Sequence, residues 1–330
     1  MKQAPPSTLN SLTSLELCAG AGGQALGLER SGFEHEALVE IDAAACATLR
    51  LNRPRWNVIE GDLSQFDATR YKGVDLVAGG VPCPPFSKAG KQLGADDERD
   101  MFPQALRVVN ETRPQAVMLE NVRGLMDAVF ADYRHNIVRQ LNALGYWADW
   151  HLLNAVDHGV SQLRPRVVCV ALRQEIAPYF RWPAPSMRLP PTVGELLHDL
   201  MQANGWLGAD EWSTLADDIA PTLVGGSKKH GGPDLGPTRS RAAWAALGID
   251  GRSLANEAPE PGFVGAPRLT VRMCARIQGF PDDWLFAGKK TPAYRQVGNA
   301  FPPPVAHAVS QCIAHAIEQA AARRLMKRAA

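Results

Sequence analysis

Three groups in this chain have the residue types and spacing to act on a substrate: a cysteine framed by prolines, a carboxylate ending an apolar run, and two arginines flanking a proline. In GGVPCPPFSKAGKQ, residues 79–92, the apolar run 74–78 empties into Gly79 and Gly80, and Cys83 stands between Pro82 and Pro84. Proline fixes its own φ and pushes the residue before it toward extended geometry. Cys83 is therefore held in a stiff frame at the carboxyl end of a strand, where open α/β sheets bind ligands. A free thiol titrates near ~8.5, so a nucleophilic role needs surroundings that favour the thiolate. The alternative is a buried small hydrophobe, which two prolines and a glycine-rich strand end suit poorly. Residues 86–100 show little apolar periodicity and read as a long loop.

Glu120 follows the apolar run Ala116 to Leu119 and is followed by Asn121 and Val122. At the end of a neighbouring strand it would face the same crevice as Cys83. It could equally be an acid stabilised by a helix N-terminus. Arg164 and Arg166 flank Pro165 at the mouth of the apolar stretch 167–172. The fixed fork of donors on a guanidinium suits carbonyl and phosphate groups. Gly20, Gly22 and Gly23 follow a short apolar strand, and Gly20-x-Gly22-x-x-Ala25 fits the loose dinucleotide fingerprint, a pattern that ordinary glycine turns also satisfy. Glu40 lies 20 positions after Gly20 in a second strand, 37–42, where an acid suits the two hydroxyls of a ribose.

These groups need strands and helices to hold them. A third strand over 56–59 leads to Gly61, Asp62 and Leu63. Helices are expected over 102–113 and 134–145, and strands over 146–154 and 167–172. The alternation predicts an α/β fold with a doubly wound, mostly parallel sheet whose first half binds an adenosine-bearing cofactor. Residues 181–268 are rich in Pro and Gly and lack this alternation. They read as part of a smaller, irregular domain, or else as a solvated insertion. The expected division is 1–180 as the catalytic and cofactor-binding domain, 181–290 as the small domain with its variable part at 181–268, and 291–330 as a segment returning to the first. A helix over 268–278, closed by Gly279 and Pro281, precedes a C-terminal helix from 303 to 326 with Val305, Val309, Ile313 and Ile317 on one face.

Composition narrows the classes. The 330 residues carry Lys+Arg 35 against Asp+Glu 34, a net charge of +1, which argues against a wholly basic nucleic-acid coat protein but allows a local basic cleft. Six cysteines at 18, 46, 83, 169, 274 and 312 contain no C-x-x-C pair, so neither structural zinc nor a disulfide framework is expected. No stretch has signal-peptide or membrane length, and a reducing cytoplasm is the expected location.

Taken together, LELCAGAGG, VEID, GDL, GGVPCPPFS, LENVRGL, GVSQLRPRVVCVAL, RLTVRMCARIQGFPDDW and YRQVGNA, in this order, resemble the bacterial DNA (cytosine-5) methyltransferases of restriction–modification systems. The likeness covers nearly the whole chain outside 181–268. It implies that Cys83 adds to C6 of a cytosine flipped out of duplex DNA, that Glu120 stabilises the ring at N3, and that Arg166 serves O2, with Arg164 nearby steering phosphate or the loop. The implied methyl donor is S-adenosyl-L-methionine, with S-adenosyl-L-homocysteine as product and no metal. Glu40 would hold the ribose, Asp62 the adenine amino group with Leu63 beside the ring, and Gly20, Gly22 and Gly23 the methionine portion. Leu17, Cys18, Ile41, Gly80 and Pro82 complete the expected donor site, with Asn299 and Ala300 approaching from the C-terminal segment. The family commonly carries Phe where Cys18 stands and Asp where Glu16 stands.

The same resemblance makes 181–268 the target-recognition region and double-stranded DNA the partner. Ser87, Lys91, Gln92 and Arg99 become candidates for phosphate contact and gap filling. Thr222, Lys228, Lys229, Arg239 and Arg241 become candidates for reading the DNA, since Arg and Lys pair with guanine edges. A monomer is expected, with a cognate restriction endonuclease acting independently on the same site. A nicotinamide-dependent dehydrogenase would leave Cys83, Glu120 and the arginines without a joint task. A tRNA cytosine methyltransferase would be expected to carry a Cys-Phe-Thr signature, which the chain lacks. A protein that binds DNA without modifying it would not need the catalytic positions that stand here.

Overall fold

The computed structural model describes residues 11–82, 100–225 and 232–329. Its strands are β1 (Leu12–Leu17), β2 (Phe33–Glu40), β3 (Val58–Glu60), β4 (Leu76–Gly79), β5 (Ala116–Val122), β6 (Tyr146–Asn154) and β7 (Pro165–Arg173). They form one seven-stranded sheet in the order β3-β2-β1-β4-β5-β7-β6. β1 to β5 pair in parallel, whereas β7 runs antiparallel to both β5 and β6. The expected doubly wound, mostly parallel sheet is what the chain forms.

Both faces of the sheet are covered, so β4 and most of β5 and β7 are apolar runs rather than alternating ones. On one face Leu76, Ala78, Met118, Val168 and Val170 pack under α10 (Pro303–Ala329), which presents Val305, Val309, Ile313 and Ile317 as its periodicity predicts. On the other, Leu15, Val77, Val117, Leu119 and Cys169 pack under α3 (Phe102–Thr112) and α4 (Ala131–Ala143). α1 (Gly23–Arg30) and α2 (Ala43–Asn52) follow β1 and β2. α2 is capped by Asp42, whose carboxylate accepts the Ala44 and Ala45 N–H groups.

The third strand starts at Val58, later than expected, because Trp56 closes a turn onto the Arg53 carbonyl and sets its ring edge-on to His35. Region 181–268 is more helical than its Pro and Gly content suggests. It holds α5 (Val193–Gln202), α6 (Ala209–Leu215) and α7 (Thr238–Ala246). Thr192 and Glu195 form a capping box at α5, a readable start signal. These helices share a buried cluster around Trp206, Trp212 and Trp244 with α8 (Val271–Ile277), α9 (Lys290–Asn299) and Leu26 of α1. Among the described residues no helix is long and apolar enough to cross a membrane.

Candidate active site

The strand order reverses between β1 and β4, and such a switch point opens a crevice at the carboxyl ends of the strands. A cavity of about 460 Å³ lies there, within the size range of small-molecule sites. One end is walled by the turn after β1 and by Glu40, Ile41, Asp62 and Leu63, the other by Gly80, Pro82 and Glu120, with Asn299 and Ala300 closing it from the end of α9. The turn has left-handed backbone at Cys18, Gly20 and Gly22. Trp284 supports it from beneath, donating from Nε1 to the Ala21 carbonyl at 3.1 Å.

Glu40 is buried at the end of β2, and each carboxylate oxygen accepts one backbone N–H: Gly20 on Oε2 and Asp42 on Oε1, both at 2.7 Å. A carboxylate has about four acceptor sites, so two remain for hydroxyl donors. Asp62 is exposed at the rim, its acidity increased by the Ser64 N–H. Burial, then Glu40 and Asp62, push the Cys18 thiol up to about 12, so it remains a neutral, small apolar lining.

Two expected donor contacts are corrected. Leu17 is fully buried in the core beneath the sheet and does not line the cavity, because successive strand residues face opposite sides. Gly22 also stands back from it, under Leu49 and Trp284, as the hinge of the turn. Gln24, Met101 and Arg295 line the cavity and were not anticipated. Only the position of Arg295 inside YRQVGNA hinted at it. Its guanidinium lies 3.6 Å from Asp42.

At the far end Glu120 and Arg166 form an ion pair, Oε1 to Nε at 2.9 Å, with side chains only 10% and 11% exposed. Burial raises the Glu120 carboxyl above its ordinary value, opposed by Arg166 and then Arg164. Gly80 permits the approach, since a Cβ there would meet Glu120 Oε2 at 3.3 Å. Asn121 Nδ2 donates to the Val81 carbonyl at 2.9 Å, and the Met101 N–H to the Pro82 carbonyl at 3.0 Å. The backbone leading into Cys83 is thus pinned from β5 and from the start of α3. Cys83 itself, with Ser87, Lys91, Gln92 and Arg99, lies outside the described residues.

Arg164 does not fit the expectation of a group steering phosphate or a loop. It is completely buried, and its guanidinium donates to the carbonyls of Leu223, Gly298 and Ala300. Thr222 is half-buried, its hydroxyl donating to the Leu163 carbonyl at 2.5 Å. Arg239 is exposed near the start of α7 and Arg241, two residues on, is half-buried, whereas Lys228 and Lys229 lie outside the described residues. Among the described residues no cluster of three or more His, Cys, Asp or Glu is arranged to hold a metal ion.

The sequence profile of the C-5 cytosine-specific DNA methylases matches residues 12–315, which takes in every strand and both walls of this cavity. The chain belongs to that family. The methylase is similar to the Type II methyltransferase M.NgoMIV of Neisseria gonorrhoeae, 60% identical over 308 residues that cover 91% of this chain and 96% of the relative. It is 57% identical to M.NaeI of Lentzea aerocolonigenes over 311 residues, 92% of this chain and 75% of that one. Its fold is shared by DNMT2 of Spodoptera frugiperda, with a TM-score of 0.64 at 18% identity over 92% of this chain and 99% of the other. The methyltransferase EhMeth of Entamoeba histolytica aligns with a TM-score of 0.65 at 15% identity, covering 94% of the methylase and 99% of its own chain. The methylase thus has a Rossmann-like methyltransferase fold and acts on cytosine C5 in DNA.

Proposed function

We propose that the protein methylates a cytosine within one short DNA sequence by covalent catalysis from Cys83, as the modifying enzyme of a restriction–modification system. The observation that carries this reading is that Glu120, paired with Arg166, walls the same cavity whose other end presents Glu40 and Asp62. Acceptors suited to an adenosyl group and an acid suited to a base therefore meet in one cavity. When bound there, S-adenosyl-L-methionine supplies an electrophilic methyl group.

The residues fit that donor. Glu40 has acceptor capacity left for two ribose hydroxyls, Asp62 can accept from an amino group, and Leu63 offers an apolar edge. Cytosine C5 is a poor nucleophile until the ring gains electron density. Addition of the Cys83 thiolate at C6 provides it, and Glu120, with its carboxyl raised by burial, can hand a proton to N3 as charge develops. Arg166 orients Glu120 through their ion pair in this reading and donates to the base. Once C5 has taken the methyl group, loss of the C5 proton to water or hydroxide and return of the N3 proton to Glu120 let Cys83 leave by elimination as the thiolate. A stacked base cannot reach such a pocket, so the cytosine must be flipped out, at a cost of about a few kcal/mol that contacts within the site offset.

The identity to Type II methyltransferases supports the restriction–modification role, with a nuclease acting separately on the same site. We assign recognition to 181–268, with Arg239 on the exposed side of α7 as its leading described candidate, and treat the protein as a cytoplasmic monomer. The deciding experiment is methylation of mixed-sequence duplex DNA with S-adenosyl-L-methionine, read by bisulfite sequencing, with Cys83→Ser as control. 5-Methylcytosine confined to one short motif and lost in the variant is the expected result. Undiminished methylation by Cys83→Ser would overturn the covalent route, and methylation without site preference would overturn the assigned role.

A further inference from the structure

Gln162 and Arg164 lie on the turn entering β7, and Gln278 lies just past α8; all three are completely buried. Gln162 Oε1 accepts the Leu223 N–H at 2.9 Å, and its Nε2 donates to Gln278 Oε1 at 2.7 Å. Gln278 Nε2 donates to the Ala300 carbonyl at 2.5 Å. Arg164 Nη1 donates to the Leu223 carbonyl at 2.7 Å, and Nη2 to the carbonyls of Gly298 at 2.6 Å and Ala300 at 3.1 Å.

This junction joins three parts with different tasks. Leu223 belongs to the 222–225 segment of the proposed recognition region, and both of its backbone polar groups are held. Ala300 walls the donor cavity. Arg166, two residues past Arg164, pairs with Glu120. Backbone packs on backbone at the same place: a Cβ on Gly225 would lie 2.3 Å from Asn299 Oδ1, and one on Gly298 would lie 2.4 Å from the Gly225 Cα. Moving the 222–225 segment relative to the cavity wall would orphan several buried polar groups at once, and such networks resist partial disruption.

We infer that Gln162, Arg164 and Gln278 are positioning residues that couple the donor cavity to the DNA-recognition segment, so that cognate DNA and donor each tighten binding of the other. The inference rests on the donor and DNA assignments made under Proposed function, and linkage requires the effect to be reciprocal.

The test measures the dissociation constant of S-adenosyl-L-homocysteine by titration calorimetry, alone and with a saturating duplex carrying the site the wild type methylates. Wild type is compared with Gln278→Met, which keeps length but removes the Oε1 acceptor and the Nε2 donor, and with Gly225→Ala, which wedges the segment off α9. Thermal melts establish that each variant is folded, and either one suffices. In the wild type, duplex should tighten the homocysteine product by about fivefold or more, the usual scale of such coupling. The folded variants should lose most of that ratio, whatever their affinity for the product alone. A ratio preserved in a folded variant, or a wild-type ratio of one, overturns the coupling while leaving the donor assignment standing. No binding of the product by the wild type overturns the donor assignment, and the coupling falls with it.

Discussion

Arg166 reaches Glu120 across two strands that run in opposite directions, Nε to Oε1 at 2.9 Å. In the β5–β7 register Arg166 stands opposite Val122, and Glu120 lies two positions along the same face. Reversal of β7 is what brings its first residues to the carboxyl end of β5 and so to the cavity. Glu120→Gln keeps the shape and removes the acid, and a fall in single-turnover methylation of about 10²-fold or more is expected. Arg166→Met leaves a buried carboxyl without its cation, which costs about 3–5 kcal/mol when a buried pair is broken. Urea unfolding of the variant checks this, and a loss within error of zero would mean the pair is solvated.

The pH dependence of stability has a defined sign. Burial raises the Glu120 carboxyl in the folded protein, so the folded state holds that proton more tightly than the unfolded chain. Its contribution is complete below the ordinary carboxylate value and is lost as pH rises through the folded value. Over that window the melting temperature of the wild type should fall relative to Glu120→Gln. Parallel curves for the two proteins would contradict it.

Glu40 holds the Gly20 and Asp42 N–H groups at 2.7 Å each. In Glu40→Gln one amide nitrogen must face a backbone donor, forfeiting a charge-assisted hydrogen bond worth about 1.5–3 kcal/mol. A ribose hydroxyl would lose the same kind of charged acceptor, so binding of S-adenosyl-L-homocysteine should weaken by about tenfold or more, about 1.4 kcal/mol being tenfold in affinity. Calorimetry showing wild-type affinity would remove Glu40 from the donor site.

Gly22 has φ +85, and a Cβ there would stand 2.7 Å from Leu49 Cδ2 and 2.9 Å from Trp284 Cζ2. Gly22→Ala combines left-handed backbone strain with a clash, and backbone strain of this kind alone costs about 1–3 kcal/mol. A lowered melting temperature is expected. If calorimetry finds the variant as stable as the wild type, the turn relaxes more freely than its packing implies.

Arg239 and Arg241 should behave differently although both sit on α7. Arg239 is exposed, and Arg239→Ala should relax the methylated motif in bisulfite reads of mixed-sequence DNA. Arg241 packs its stem toward Gly251 and donates to Thr238, so Arg241→Ala should also lower stability. An unaltered motif with Arg239→Ala would place readout elsewhere in 181–268.

Order and spacing along the chain were enough to reveal the alternating sheet, the glycine turn and the carboxylate of Glu40, because strand period, φ at glycine and loop length are local properties. α10 was legible for the same reason, its apolar face repeating with the helical turn. The role of Arg164 was not legible. Its sequence neighbours suggested a group steering phosphate or a loop, and only the approach of Leu223, Gly298 and Ala300 makes it an internal clamp. The lining by Met101 and Arg295, the exclusion of Leu17 and the antiparallel return of β7 likewise depend on which distant segments pack together. Long-range packing decides which side chains meet, and in this protein it joins the glycine turn, Glu120 and the end of α9 around one cavity.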